Sequence, residues 1–398
     1  MSRVQNVRST KLDVKSLREQ FSECDGQWQQ RKRKVNTHHL CQVLLAKTHV
    51  RRVSRALRMI RSESRGGPGG TWESLFRLGD RDGGSSTQDG VSSASISKAL
   101  RRLPSGAFRR INRSLFLSNA SNRPLVLAVD GSKVRVPPHF AKHGFRSFLS
   151  SSSAPSSPLT STLTALVDVH TKEPFDWIWT KHFDEWKAAL ELLQHVPRGS
   201  TILCDRGYFS AAFVRQVYDL GLQLVARIKR KPNKELGDLV QAMGPNTMKF
   251  VPHTSSIQRP VTLCRYDIGD QAYYCLIVSR GYGVLRRLSH GQAHRPGRRT
   301  RAESESAISA HDIRRLYHKR WQVETFFKTL KSTLKLTDVR TTHPTVFEHE
   351  IDVRCLGVSL LHSVKPPADN DCSAHHRPLF AWFDYFLLVL SVLLHDDG

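Results

Sequence analysis

The sequence predicts an α/β protein: a mixed sheet flanked by helices, interrupted by a β-rich insertion and preceded by a basic, mainly helical region. Three observations lead there. Between residues 124 and 228 the apolar runs read strand, strand, strand, helix, strand, helix, strand, and such late alternation implies a mixed sheet under helices. Between about 230 and 309 short strand-like runs return, as a separate insertion. Finally, 61 Lys+Arg against 35 Asp+Glu leave a formal charge of +26 on 398 residues. That excess asks for a polyanionic partner, nucleic acid first and an anionic membrane surface second.

The basic residues are clustered. Residues 1–66 hold sixteen Lys/Arg and five Asp/Glu, with RKRK at 31–34 and RRVSRALRMIRS at 51–62. Residues 98–113 form a second basic zone, and residues 280–302 a third with seven arginines and no acid. The Gly-, Ser- and Asp-rich stretch 64–90 reads as a linker. After it, VSSASISKALRRL (91–103) sets Ile96, Leu100 and Leu103 on one helical face. It reads either as a recognition helix bearing Lys98, Arg101 and Arg102 or as an ordinary amphipathic helix.

The sheet begins with PLVLAVD (124–130). After a Ser-rich loop at 147–161, STLTALVDV (161–169) and PFDWIWT (174–180) follow, joined by the polar turn HTKE. HFDEWKAALELLQHV (182–196) reads as a helix with Phe183, Trp186, Leu190 and Leu193 on its apolar stripe. TILCD (201–205) is the next strand, AAFVRQVYDL (211–220) a helix and LQLVARI (222–228) a strand. In the insertion the strands are TMKFV (247–251), PVTLCRYDI (260–268) and AYYCLIVSR (272–280). Trp177 and Trp179 alternate within a strand and read as packing.

Two of these strands end on aspartates, Asp130 in LAVDGSKV and Asp205 in TILCDRGYFS. At strand ends of one sheet the two carboxylates can face the same crevice. Asp205 reads equally as the N-cap of the helix starting near Ser210. A third acid comes from LYHKRWQVETFFKTLKSTLKL (316–336), read as one helix. At about 100° per residue, Tyr317, Arg320, Glu324 and Lys331 fall within about 60° of one another. Leu316, Val323, Phe326, Phe327, Leu330 and Leu334 fill the adjoining sector, so the helix holds Glu324 at the core's edge. Two hard divalent cations about 4 Å apart activate an attacking oxygen and stabilise a leaving one in phosphoryl transfer. They want carboxylate oxygens, and Asp130, Asp205 and Glu324 supply them without Cys or His.

DGSKV at the first strand, CDRGYFS at the fourth and Y-x2-R-x3-E-x6-K on the late helix resemble the bacterial insertion-sequence transposases of the DDE type. The match is narrower still, to the fourth insertion-sequence family with its Y-R-E-K signature. The resemblance implies a ribonuclease H-like catalytic domain over 121–340, with residues 230–309 as the β-rich insertion. It also implies a DNA-binding region at 1–120 and a helical C-terminal tail at 341–398. Asp130, Asp205 and Glu324 are then catalytic and hold two Mg²⁺, with Mn²⁺ as a substitute. Tyr317, Arg320, Lys331, Arg206, Tyr208 and Lys133 are then DNA contacts. The implied reaction starts with water attacking a phosphodiester at a transposon end. The freed 3′-hydroxyl next attacks the opposite strand or target DNA. The implied partners are double-stranded DNA, as terminal inverted repeats and target, and a second protomer on paired ends. The implied setting is the bacterial cytoplasm, at the nucleoid and without a membrane.

This sequence departs from the family in two places. Related enzymes often use an insertion tryptophan to hold an unpaired base, and residues 230–309 contain none, leaving Tyr266, Tyr273, Tyr274 or Phe250. EIDVRCLGVSLLHSV (350–364) fits the helices that pair protomers, but residues 365–380 follow no such pattern. An altered tail leaves room for an alternative, a catalytically inactive DNA-binding derivative that represses transposition. A nuclease that cuts without joining is a third reading.

Other functions are excluded or unsupported. Seven cysteines, Cys24, Cys41, Cys204, Cys264, Cys275, Cys355 and Cys372, form no CxxC pair, so free thiols in a reducing compartment are expected. The pairs His38–His39 and His375–His376 have no ligand spacing and read as surface residues. No apolar signal-peptide core opens the chain. LFAWFDYFLLVLSVLL (379–394) is 16 residues long and broken by Asp384, short of the roughly 20 that span a bilayer. It reads as a buried helix.

Overall fold

The computed structural model describes residues 14–29, 36–37, 40–41, 44–45, 93–120, 124–147, 158–181, 184–231, 234–279, 308–336, 339 and 341–363. Several expectations fall outside them: the basic runs at 31–34, 51–62 and 280–302, the linker 64–90 and residues 148–157 of the Ser-rich loop. Both histidine pairs, Phe183, Cys372, the segment 365–380 and the apolar run 379–394 also lie outside the described residues. The chain divides into two units, residues 116–136 with 144–328, and residues 1–115 with 137–143 and 329–398.

Three helices come first: α1 (Val14–Trp28), α2 (Ser93–Arg102) and α3 (Ala107–Asn119). On α1, Leu17, Phe21 and Cys24 repeat at helical spacing and are all buried. Asp25 on its last turn accepts from the Thr37 amide at 2.7 Å and from the Thr37 hydroxyl at 2.6 Å. In α2 the expected face of Ile96 and Leu100 is buried, with Leu103 just beyond it, while Lys98, Arg101 and Arg102 are exposed.

The sheet unit is built on β1 (Val126–Arg135), β2 (Arg146–Ser147), β3 (Leu159–Asp168) and β4 (Pro174–Thr180). Helix α4 (Glu185–Leu193), β5 (Thr201–Cys204), α5 (Ala211–Asp219) and β6 (Gln223–Ile228) follow. Next come α6 (Lys234–Gln241), β7 (Met248–Val251), β8 (Val261–Ile268) and β9 (Gln271–Val278). β1 pairs antiparallel with β3 and β3 with β4, whereas β1–β5 and β5–β6 are parallel. Across the sheet the strands run β2, β3, β1, β5, β6, β9, β8, β7, with β4 also on β3. The architecture is thus the mixed, helix-flanked sheet that the order of apolar runs predicts.

The two-residue period of a strand sorts β1 by face. Leu127 and Val129 join Leu166, Phe175, Leu192, Phe213, Val217 and Leu224 in the main core. Val126, Ala128 and Asp130 project from the other face. Helix α4 packs on β1, β3 and β4 and also touches α5. It does so through Ala188, Ala189, Leu192 and Leu193 rather than the expected stripe. Leu193 is common to both; Trp186 is 40% exposed and Leu190 half-buried. Small alanines let the helix approach the sheet closely, which a tryptophan at that face would prevent.

The insertion is not separate from the sheet. β9 pairs antiparallel with β6 from Leu224–Val278 to Ile228–Tyr274, so β7, β8 and β9 extend it. The physical reason is the edge of β6, whose buried backbone N–H and C=O groups need a ladder partner. Helix α6, within the same segment, had no counterpart in the predicted strands.

The late helix is also not continuous. It runs as α7 (Ala310–His318), a tight turn at 319–320, α8 (Trp321–Lys328) and a wide π-type turn at Thr329–Thr333. Arg320 N–H donates to Tyr317 C=O at 2.9 Å, three residues back, and Leu334 N–H to Thr329 C=O at 3.1 Å, five back. Even so, Leu316, Val323, Phe326, Phe327, Leu330 and Leu334 are all buried. α7 opens with a capping box between Ser309 and Asp312. α8 packs on β1 and β3, and α7 on β8.

The first unit closes on α9 (Pro344–Ser363), which packs on α2 and on the π-type turn. Among the described residues no helix is long and apolar enough to cross a membrane. The six described cysteines are free and buried. Buried His349 on α9 donates from Nε2 to Leu103 C=O at 3.2 Å, while its Nδ1 has no partner. Burial pushes its pKa down to about 4. A histidine neutral in the fold but titrating near 6.5 when unfolded makes stability fall as pH drops from about 6.5 towards 4, by up to about 3 kcal/mol. Urea unfolding at pH 7 and pH 4.5 should therefore show a smaller loss for His349→Gln than for the unmutated protein.

Candidate active site

Asp130 and Asp205 stand at neighbouring points because β1 and β5 are adjacent and parallel, with Ala128 beside Leu203. The first strand does not end on Asp130 as expected, since β1 stays paired with β3 through to Arg135, whereas Asp205 directly follows β5. The Gly131 amide donates to Asp130 Oδ1 at 2.8 Å, and the Gly207 amide to Asp205 Oδ1 at 2.6 Å. Asp205 does not cap α5. Ser210 does, its hydroxyl accepting from the Phe213 amide at 3.1 Å. The carboxylate at 205 is thereby left to the site.

Glu324 joins them through Arg320. The Arg320 guanidinium lies 3.4 Å from Asp130 Oδ2 and forms a hydrogen-bonded ion pair with Glu324 Oε1. It also sits over the Tyr317 ring, 5.9 Å from the centroid. The tight turn at 319–320 makes this possible, since it carries Arg320 between two helices instead of along one. Burial raises the Asp130 pKa; the Gly131 amide and Arg320 oppose this, while Asp205 and Glu324 add to it. Burial works against the Arg320 charge, but Tyr317, Glu324 and Asp130 overcome it and raise the pKa. A guanidinium thus supplies positive charge between Asp130 and Glu324, and Asp205 is near enough to act on Asp130 electrostatically.

A fourth carboxylate was not anticipated. Glu185, on the first turn of α4, is half-buried, with its pKa raised first by burial and then by Asp130 and Asp205. It lies against Gly131: a Cβ there would come within 2.7 Å of Glu185 Oε2 and closer still to its carboxyl carbon. The one sequence signal was the glycine directly after Asp130. Tyr208, read from the sequence as a DNA contact, is 3% exposed. Its buried hydroxyl is directed at Glu185 and, as a hydrogen-bond donor, favours that carboxylate's charged form.

The remaining candidates are dispersed. Lys133 and Arg206 are exposed, and Lys133 is close enough to Glu185 to favour its charged form. Tyr317 is 9% exposed, with its pKa raised by burial. Lys331 belongs to the first unit, on the π-type turn, where burial lowers its pKa. Beside Tyr317 and Arg320 opens a cavity of about 930 Å³, whose lining includes Arg227, Tyr266, Tyr273, Arg315 and the 59% exposed Trp321. Tyr266 and Tyr273 stack there with ring centroids 5.6 Å apart, and Arg227 covers Tyr273. Tyr274 is buried and Phe250 is 60% exposed.

Among the described residues no three His, Cys, Asp or Glu side chains stand in an arrangement that could hold a metal ion. The donor chemistry alone, all carboxylate oxygens, is the kind that a hard divalent cation takes.

No curated protein matches the chain at a significant level. A cryo-EM structure of a piggyBac transposase synaptic complex with hairpin DNA aligns over 97% of this chain and 80% of that one, at 12% identity and a TM-score of 0.45. The family model for the transposase DDE domain matches residues 121–359, well over half of the 398, and takes in all four carboxylates together with Arg320. The chain therefore belongs to the DDE transposase family.

Proposed function

We propose that the chain is an insertion-sequence transposase of the Y-R-E-K branch, which cuts DNA at the ends of its element and joins them to target DNA in a Mg²⁺-dependent reaction. The observation that carries this is the link from β1 to the late helix. Asp130 lies on β1, Asp205 directly follows the neighbouring parallel β5, and Arg320 ties Asp130 to Glu324. The strand order supports a ribonuclease H-like core, three antiparallel strands followed by two parallel ones. Divalent ions held by Asp130, Asp205 and Glu324 would activate the attacking oxygen and stabilise the leaving one.

The chain's own residues then position DNA. Arg320, with its fixed fork of donors, suits the phosphate next to the reacting one. Exposed Lys133 and Arg206 extend the positive surface along the backbone, and Lys331, in the other unit, is a further phosphate contact in this proposal. Water opens a phosphodiester at the element's end and leaves a 3′-hydroxyl, which displaces a 3′-oxygen in the opposite strand or the target. Each step forms one P–O bond and breaks one. Two protomers on paired ends, in a bacterial cytoplasm, complete the reading.

The test is a cleavage and joining assay with purified protein, duplexes bearing the element's own ends, and Mg²⁺. The expected result is nicked and then joined strands, both abolished by chelator. Nicking without joined product would indicate a nuclease. Binding to the ends without cleavage would overturn the active enzyme and identify a repressor derivative.

A further inference from the structure

We propose that Arg354 is a positioning residue for DNA binding: from α9 it fixes the wide turn at Thr329–Thr333 and so sets the direction of Lys331. The inference rests on the reading of Lys331 as a phosphate contact, and adds a buried residue that does not itself touch DNA.

The argument starts from backbone groups. A helix leaves its last four C=O groups without partners of its own. Here the chain turns away at Lys335, whose φ of +51° lies in the left-handed region that residues other than glycine rarely adopt. The Leu334 C=O, just past the wide turn, is taken by Arg354 Nε at 2.9 Å. The same guanidinium donates from Nη1 to the Glu350 carbonyl at 2.6 Å and meets Glu350 Oε2 at 3.3 Å. Its donors form a rigid fork, so anchoring one arm to α9 fixes where the other holds Leu334.

The turn is wide because Leu334 N–H reaches back five residues to Thr329 C=O, at 3.1 Å. An ordinary helical bond reaches back four, and would rotate the side chains of the turn differently. With its amide on Thr329 and its carbonyl on Arg354, Leu334 holds the wide form from both sides. Packing acts at the same place. Leu330 and Leu334 are buried, and α9 lies on the turn. At Gly357, three residues beyond Arg354, an added Cβ would stand 4.0 Å from Leu334 Cδ1.

Lys331, inside this turn, is suited to an anion. It is half-buried, burial lowers its pKa, and among the described residues no carboxylate pairs with it. An ammonium held partly out of water without a partner costs free energy, and a phosphate oxygen removes that cost.

The test is binding of the full chain to duplexes bearing the element's own ends, over a range of salt and with chelator present so that no strand is cut. Each phosphate contact contributes about 0.9 to the slope of log K against log salt concentration. Lys331→Ala should lower the slope by roughly one contact. Arg354→Lys keeps a cation for Glu350 but lacks the fork that reaches Leu334, and should lower the slope equally. The double variant should fall no further. Melting curves establish folding; if Arg354→Lys does not fold, Arg354→Gln with Glu350→Gln, which strands no charge, replaces it. An arginine that only stabilises the unit would shift the melting temperature and leave the slope alone. An unchanged slope in the Arg354 variant, beside a loss in Lys331→Ala, would therefore overturn the positioning role and leave Lys331 a contact. Losses that add in the double variant would overturn it too. An unchanged slope in Lys331→Ala would overturn the reading of Lys331, and the inference with it.

Discussion

Replacing Glu324 by glutamine will lower strand cleavage on the order of 1,000-fold, about 4 kcal/mol of barrier, while unfolding free energy changes by no more than about 1 kcal/mol. The two effects separate because Glu324 has different work in the resting and the reacting protein. At rest it pairs with Arg320, itself shared with Asp130, and its side chain is 32% exposed. Glutamine keeps an oxygen for that guanidinium and removes a negative charge that destabilises Asp130. Loss of attraction and relief of repulsion therefore offset one another. In the proposed reaction no such offset exists, because a neutral amide removes one of the few negative charges that would hold a divalent cation. Single-turnover nicking on end duplexes, beside urea unfolding of the same samples, checks both halves. A variant that keeps more than a tenth of the cleavage rate would remove Glu324 from the proposed metal set.

The sequence exposes this site unevenly, and the reason is range. Asp130 and Asp205 each close an apolar run, and Tyr317, Arg320 and Glu324 share a stripe. These are local patterns, and the structure does gather Asp130, Arg320 and Glu324 into one network. Glu185 was hidden because its neighbour Gly131 lies 54 positions earlier, and a helix's first turn is an ordinary place for an acid. The cavity lining was hidden likewise: Arg227 comes from β6, Tyr266 and Tyr273 from β8 and β9, and Trp321 from α8. The pairing of β6 with β9 was missed for the same cause, since apolar runs reveal strands but not their partners. Angular counting also has a limit. It assumes one unbroken helix, whereas the turns at 319–320 and 329–333 change the residues per turn on either side of Glu324. The buried face survived that change because its apolar residues tolerate rotation within a core. Placement of Lys331 depends on the wide turn.

Arg354→Met will destabilise the unit that carries α9 by about 3–5 kcal/mol. Arg354 is 3% exposed and Glu350, one turn earlier, is 4% exposed. The guanidinium meets Glu350 Oε2 at 3.3 Å, the Glu350 carbonyl at 2.6 Å and, through Nε, the Leu334 carbonyl at 2.9 Å. It therefore serves both a buried charge and the chain end left by the π-type turn. Methionine fills similar volume but donates nothing, so the buried Glu350 carboxylate loses its Arg354 cation. Removing both partners separates the two roles. Arg354→Met with Glu350→Leu should recover the part due to the stranded charge, because an apolar pair of similar size is often neutral. A residual loss of about 1–3 kcal/mol should remain for the Leu334 carbonyl, whose Arg354 donor neither substitution restores. Urea unfolding of the single and double variants, at a pH where His349 is neutral, measures both quantities. A double variant no more stable than Arg354→Met would place the whole effect on the Leu334 carbonyl and none on the charge pair.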